Sequence, residues 1–318
     1  MHDDLMEKRK TPKIFNIAAT ALVAVVLYCI PANAQQDPQY TQYMYNPSNI
    51  NPAYAGSRGV TSIFALHRTQ WVGLDGAPVT SAASIHAPVG KNVGLGFSFM
   101  NDKIGPMDQN MLSGDFSYTV KAGERYKLAL GVKASAHLFS VDFTKLNIYD
   151  PQDPRFANNI KNVLSPNVGA GVFLYSDDTY FGVSIPNFLE TSHFEYNEVS
   201  IVKERMHVYA MAGKVFELSY NFKFKPAVLA KVVQGTPLQL DLTANFLYND
   251  IFTFGAAYRW DAAFSGLVGF QINEGLFIGY TYDLETTRLA DYNSGSHEFY
   301  LRFELFRNYD RVMNPRFF

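Results

Sequence analysis

The sequence predicts an all-β protein, an antiparallel up-and-down transmembrane β-barrel of about fourteen strands seated in an outer membrane. Three observations carry this. Apolar and polar residues alternate with a period of two from Thr61 onward, the spacing of strands with one oily face. The connections between alternating segments sort by side, tight on one and mostly long on the other. An export signal precedes them all.

The elements follow in chain order. Lys8, Arg9, Lys10 and Lys13 lead into an apolar run from Ala18 to Ile30 and the small-x-small site Ala32-Asn33-Ala34, so residues 1–34 are expected to be a cleaved signal peptide. The run is 13 residues, short of the roughly 20 that a membrane-spanning helix needs. Cys29, the only cysteine, lies inside this segment, so the expected mature chain has no thiol, disulfide or cysteine metal site. Removal of the signal takes away four basic and three acidic residues, leaving 23 Lys+Arg against 26 Asp+Glu. That balance offers no polybasic surface for nucleic acid.

Residues 35–59 contain the stretch YTQYMYNPSNINPAYAGSRG, with no charged residue from Pro38 through Ser57. Pro47, Pro52 and Gly56 exclude a regular helix, and no strand period is present. Tyr40, Tyr43, Tyr45 and Tyr54 set it apart from a disordered arm, which is charged and poor in aromatics. Such a segment needs a surface to pack against. It is expected to be an ordered element that plugs the barrel or docks a periplasmic partner, and an inert lead-in packed at the barrel mouth is the alternative.

Strands are expected at 60–68, 78–87, 92–102, 108–121, 126–142, 166–176, 179–188, 207–216, 220–233, 237–248, 251–260, 263–272, 275–283 and 296–306. Four show the pattern cleanly. In LSGDFSYTV, Leu112, Gly114, Phe116, Tyr118 and Val120 oppose Ser113, Asp115, Ser117 and Thr119. In LQLDLTANF, Leu238, Leu240, Leu242, Ala244 and Phe246 oppose Gln239, Asp241, Thr243 and Asn245. FTFGAAYRW and HEFYLRFEL repeat the split, the second setting Phe299, Leu301 and Phe303 against Glu298, Arg302 and Glu304. The turns PVGK, AGER, SDD, ELS, ND and NEG fall on one side. TQWVGLDGA and the loops from Thr144 to Pro166, from Leu189 to Met206 and through LETTRLADYNSGS fall on the other. Residues 307–318 are expected to form a periplasmic tail.

Charges of both signs lie on the polar faces, which points to an internal ion-pair network rather than a selective pore. A lysine added to that face, such as Thr243→Lys, is expected to be tolerated far better than a charge on the oily face. Fourteen strands enclose more space than the eight-stranded barrels filled by their own side chains and less than the porins that hold an aqueous channel, so something is expected to fill the lumen. No Gly-x-Ser-x-Gly elbow, His-Glu-x-x-His helix, phosphate loop or calcium loop occurs in the chain. The reading is therefore of a non-enzyme with no cofactor.

The most particular stretches are Asp37-Pro38, Tyr43, Asn46, Asn51-Pro52-Ala53-Tyr54-Ala55-Gly56, and Arg68-x-Gln70-Trp71-x-Gly73 with Pro78 and Thr80, together with the closing NPRFF. With these, essentially the whole expected mature chain resembles the PorP/SprF family of outer-membrane proteins of the Bacteroidetes type IX secretion and gliding machinery. The resemblance implies a role in the secretion and cell-surface attachment of particular cargo proteins, adhesins among them. It implies partners in cargo bearing a C-terminal sorting domain and in periplasmic and outer-membrane components of the machinery. Tyr43, Asn46, Asn51, Pro52, Tyr54, Gly56, Arg68 and Trp71 are the candidate plug or partner-binding residues. For Arg68 and Trp71 the alternative is a structural arginine and an interfacial tryptophan. In the long outward loops, Tyr149, Phe156, Phe194 and Tyr196 are the candidate extracellular contacts. A passive channel or hydrophobic-solute transporter is the competing function.

Overall fold

The computed structural model describes residue 41 and residues 43–146, 158–189, 195–196, 199–200 and 205–305. The expected signal peptide, the C-terminal tail, Tyr149, Phe156 and Phe194 lie outside the described residues, and of Tyr196 only the backbone is described.

Fourteen antiparallel strands close on themselves. They are β1 (Thr61–Thr69), β2 (Val79–Val89), β3 (Val93–Ile104), β4 (Met107–Ala122), β5 (Tyr126–Val141), β6 (Ile160–Tyr175) and β7 (Thr179–Ile185). Next comes β8 (His207–Lys214), which resumes past Val215 as Phe216–Ser219. The circuit is completed by β9 (Phe222–Val233), β10 (Gln239–Tyr248), β11 (Phe252–Arg259), β12 (Ala263–Gln271), β13 (Leu276–Glu285) and β14 (Ser296–Leu305). Each strand pairs with the next, and β14 returns to β1 in the register Thr61↔Leu305 to Thr69↔His297. Closure leaves no free edge, the condition for a sheet to stand in hydrocarbon, where an unpaired N–H or C=O costs several kcal/mol.

Side chains obey the pleat. On β4, Ser113, Asp115 and Ser117 are buried inside while Leu112, Phe116 and Tyr118 face out. On β14, Glu298, Tyr300, Arg302 and Glu304 point inward and Phe299, Leu301, Phe303 and Leu305 point outward. The outer face is thus an apolar belt of the kind that meets lipid. At the tight-turn end Asn249 and Asp250 are both at positive φ, 52° and 55°, and the Ile251 N–H donates to the Tyr248 carbonyl at 3.1 Å, a primed turn whose twist matches the strands it joins.

The structure departs from the sequence reading at three places. Strand β6 begins at Ile160 rather than residue 166, so the loop before it is shorter than expected. A bulge between Phe139 and Val141 lets the chain rejoin the ladder, and Ile160 packs with Phe139, Val141, Phe143 and Met107 instead of lying in a loop. Strand β7 stops at Ile185, before Pro186, three residues early. Strand β8 is interrupted at Val215, and Phe216–Ser219, read as the end of a strand and a turn, continue the ladder against β9. Strands β4, β5 and β6 are each 16 residues long. Tilted by about 45°, such strands reach roughly 35–40 Å, well past the roughly 25 Å apolar band, so this wall stands proud on the long-loop side.

The outward register makes a direct prediction. Leu242→Arg, on the lipid face in the middle of β10, is expected to lower stability by roughly 2–4 kcal/mol, read as the urea midpoint of the barrel refolded in lipid vesicles.

Candidate functional site

The lumen is occupied by the chain's own N-terminal segment. From Thr41 to Val60 it threads the barrel from the long-loop end to the tight-turn end. Thr41 sits high, its hydroxyl donating to the Asp283 carboxylate at 2.9–3.0 Å beside the last inward residues of β1 and β13. Gly56 sits low, against Pro88 and Gly94 on either side of the β2–β3 turn. The local sequence explains the path. Pro47 and Pro52 each open a single 3₁₀ turn with their fixed φ, and the Asn51 side chain accepts from the Ala53 N–H at 3.0 Å to cap the second.

The packing is all-round. Asn46 donates to Ser84 on β2 at 2.9 Å, and Asn51 donates to the Val172 carbonyl on β6 at 3.0 Å. Ser117 on β4 donates to the Ala55 carbonyl and Ser184 on β7 to the Ile50 carbonyl, both at 2.7 Å. The Gly56 N–H reaches His86 Nδ1 at 3.3 Å. Tyr45 packs on Phe277 and Tyr300 with centroids 5.6 and 5.2 Å away, and the Lys225 ammonium lies 5.2 Å over its ring. Tyr54 meets His86 and Phe173 edge-on. Tyr43, Tyr45 and Tyr54 are each under 5 % exposed, so the three together remove several hundred Å2 from water, at roughly 150–250 Å2 apiece.

Inward-facing glycines let the segment approach the wall this closely. A Cβ on Gly131 of β5 would come within 2.5 Å of the Ala53 Cα, and one on Gly56 within 2.7 Å of the Gly94 Cα. Gly94, Gly171 and Gly182 make the same allowance for Ala55 and Asn51. The Asn-Pro-Ala-Tyr-Ala-Gly stretch is therefore seated in a trough that side chains would close.

Buried charges tie the segment and wall together. Arg68 bridges Asp283 at 2.7 Å and Glu298 at 2.6 Å, and the Thr41 N–H points at the same Glu298 carboxylate at 3.4 Å. Arg58 of the segment pairs with Glu304 at the opposite end. Lys133 meets Asp115 at 2.9 Å, and Arg259 meets Asp241 at 3.1 Å. Opposite charges are thus matched between strands, and between the segment and the wall. The expected tolerance of Thr243→Lys is revised accordingly: Thr243 is buried, 5 % exposed, and an ammonium placed there without a carboxylate partner carries a desolvation cost.

Among the candidate residues, the structure brings Tyr43, Asn46, Asn51, Pro52, Tyr54, Gly56 and Arg68 into one lumenal assembly. Trp71 is not part of it. It stands in the loop after β1 at φ 45°, its ring N–H donating to Glu285 at 2.8 Å and its backbone N–H to Ser296 at 3.1 Å. Thr41, Arg58, Asp283 and the inward glycines were missed by the sequence reading. Asp283 and the glycines were open to the parity argument, since each falls on the inward register of its strand. Thr41 and Arg58 carried no such signal.

A family model described as type IX secretion system membrane protein PorP/SprF matches residues 32–303 of the chain. No curated protein sequence matches it. The structure is similar to the CymD monoaromatic hydrocarbon channel, with a TM-score of 0.50 and 12% identity over 84% of this chain and 93% of that one. It is also similar to Omp33 of Acinetobacter baumannii, at 0.46 and 10% over 77% and 99%. The Ralstonia pickettii toluene transporter TbuX gives 0.45 and 11% over 88% and 97%. At these identities the likeness is one of fold.

Two predictions follow from the packed lumen. Arg68→Ala strands two buried carboxylates and is expected to lower stability by about 3–5 kcal/mol, measured against Arg68→Lys by urea titration in vesicles. Gly131→Val pushes the Asn-Pro-Ala-Tyr segment off its seat. In planar-bilayer recordings it is expected to turn a nearly silent protein into one with frequent openings.

Proposed function

Because the chain belongs to the PorP/SprF family of type IX secretion system membrane proteins, we propose that it serves that machinery as a non-catalytic outer-membrane scaffold needed for secretion and cell-surface attachment of specific cargo proteins. The cargo in this reading carries a C-terminal sorting domain, adhesins being one kind. The other partners are periplasmic and outer-membrane components of the apparatus, with lipid around the barrel. The observation that carries the scaffold reading is the occupied lumen: the interior is spent on holding the Thr41–Val60 segment, so contacts with partners fall to the two mouths. A passive channel or hydrophobic-solute transporter would need that segment to leave the interior, breaking hydrogen bonds to strands on several sides. The fold it shares with the hydrocarbon channel does not favour that reading, because likeness at this identity extends to architecture alone.

The cargo contact is placed on the long-loop side, where a protein held at the cell surface must be met. Deletion of 147–157 or 190–204 is expected to release cargo into the medium without lowering its export, measured by immunoblot of cell and medium fractions. Loss of the whole protein is expected to abolish both export and attachment of its cargo. Normal cargo display in cells lacking the protein would overturn the function, and cargo retained after both loop deletions would move the contact elsewhere.

A further inference from the structure

The tight-turn mouth carries a cleft of about 620 Å3 on the side where the lumenal segment ends. Its walls are the Ala55–Gly59 end of that segment, the β2–β3 turn with Lys91, and the ends of β4 and β5 with Lys121 and Lys127. Among the described residues no aspartate or glutamate lines it. Lys121 and Lys127 stand directly opposite each other in the β4–β5 register, an arrangement that by itself weakens a ladder. All three lysines are exposed, and none takes part in an ion pair among the described residues. Asp178 in the β6–β7 turn, a carboxylate at the same end of the barrel, is held by Arg125 at 2.7–2.8 Å.

Direction narrows the occupant. Lys121 shares the inward parity of Ser113, Asp115 and Ser117, and Lys127 that of Ala129 and Lys133. Their side chains belong to the lumen side of the rim, so a bilayer headgroup is not what they face. The chain's own residues 307–318 carry Arg307, Arg311 and Arg316 against Asp310, and so match the cleft poorly in charge. A cleft with three ammonium groups that make no ion pair among the described residues, and with glycine-rich walls at the periplasmic opening, suits a polypeptide rich in carboxylates. We propose that this cleft binds an acidic segment of a periplasmic protein, its Asp or Glu side chains pairing with Lys91, Lys121 and Lys127. The proposal reaches beyond the secretory role and rests on the orientation of the barrel, not on the identity of the cargo.

The test uses the full chain in nanodiscs and a fluorescein-labelled peptide of alternating glutamate and serine, followed by fluorescence anisotropy. Saturable binding that weakens with salt is expected. The combined K91E, K121E and K127E change should weaken it roughly tenfold or more, the sum of three partly exposed charge pairs. Arginine at the same positions should preserve it. Charge reversal of Lys103, Lys145 and Lys161 at the opposite end should leave it unchanged. Equal loss from both sets of reversals, or none from the first, overturns the proposal. So does peptide binding that occurs only after residues 307–318 are removed, which would make the tail the occupant. Retention of phosphatidylglycerol in native mass spectra that disappears with the lysine reversals would make it a headgroup site and overturns the proposal as well. Heat-modifiable gel mobility checks that each variant folds, with K91Q, K121Q and K127Q as substitutes where the reversal does not. Normal cargo display in cells lacking the protein would defeat the secretory role while leaving this binding result intact.

Discussion

The structure depends on one constraint: a sheet in hydrocarbon has to close. With no water to receive a free N–H or C=O, every strand must find two neighbours, and β14 must meet β1. Closure then dictates everything the strands can do with their side chains. One parity faces lipid and must be apolar. The other faces a confined interior whose contents the protein has to supply. The alternation of Leu112, Phe116 and Tyr118 with Ser113, Asp115 and Ser117 is the direct imprint of that division.

A fourteen-stranded interior is too wide for its own side chains to fill and too charged to leave dry and empty. The chain resolves this with residues 41–60, and the solution explains several otherwise unrelated features. Glycines on the inward register of β3 and β5 make room for the segment's backbone, and those on β6 and β7 for the Asn51 side chain. Arg58, Arg68, Lys133 and Arg259 each find a carboxylate, because an unmatched charge in so enclosed a place would be far costlier than any pair is beneficial. Hydroxyls on β4 and β7 reach inward to carbonyls of a segment that has no strand partner of its own.

The filled interior also shifts attention to the ends of the barrel. At the long-loop end the 16-residue strands β4–β6 extend past the apolar band, and the lumenal segment approaches that end at Thr41, beside Asp283 and Arg68. At the inner end the same segment turns out of the lumen through Gly56 and Gly59, both at positive φ, beside the lysine-lined cleft. The segment is held by strands on every side of the barrel, from Asp283 near one mouth to Pro88 and Gly94 near the other.

The barrel itself was legible from the sequence, for a local reason. Period-two alternation is set residue by residue, and the Asn249-Asp250 turn or the Gly123 turn needs nothing beyond its own few residues to declare itself. The need of the Tyr43–Gly56 stretch for a packing surface was equally local, written in its tyrosines, its prolines and its lack of charge. Boundaries such as the start of β6 at Ile160 were not legible, because a bulge opposite Phe139 and contacts with Met107 decide them. Nor could the sequence say that the stretch lies inside the barrel, or that Arg68 would join Asp283 and Glu298 across more than two hundred residues. Those pairings exist only once β1 has closed against β14, since closure is what brings the first and last strands, and the charges they carry, within reach of one another.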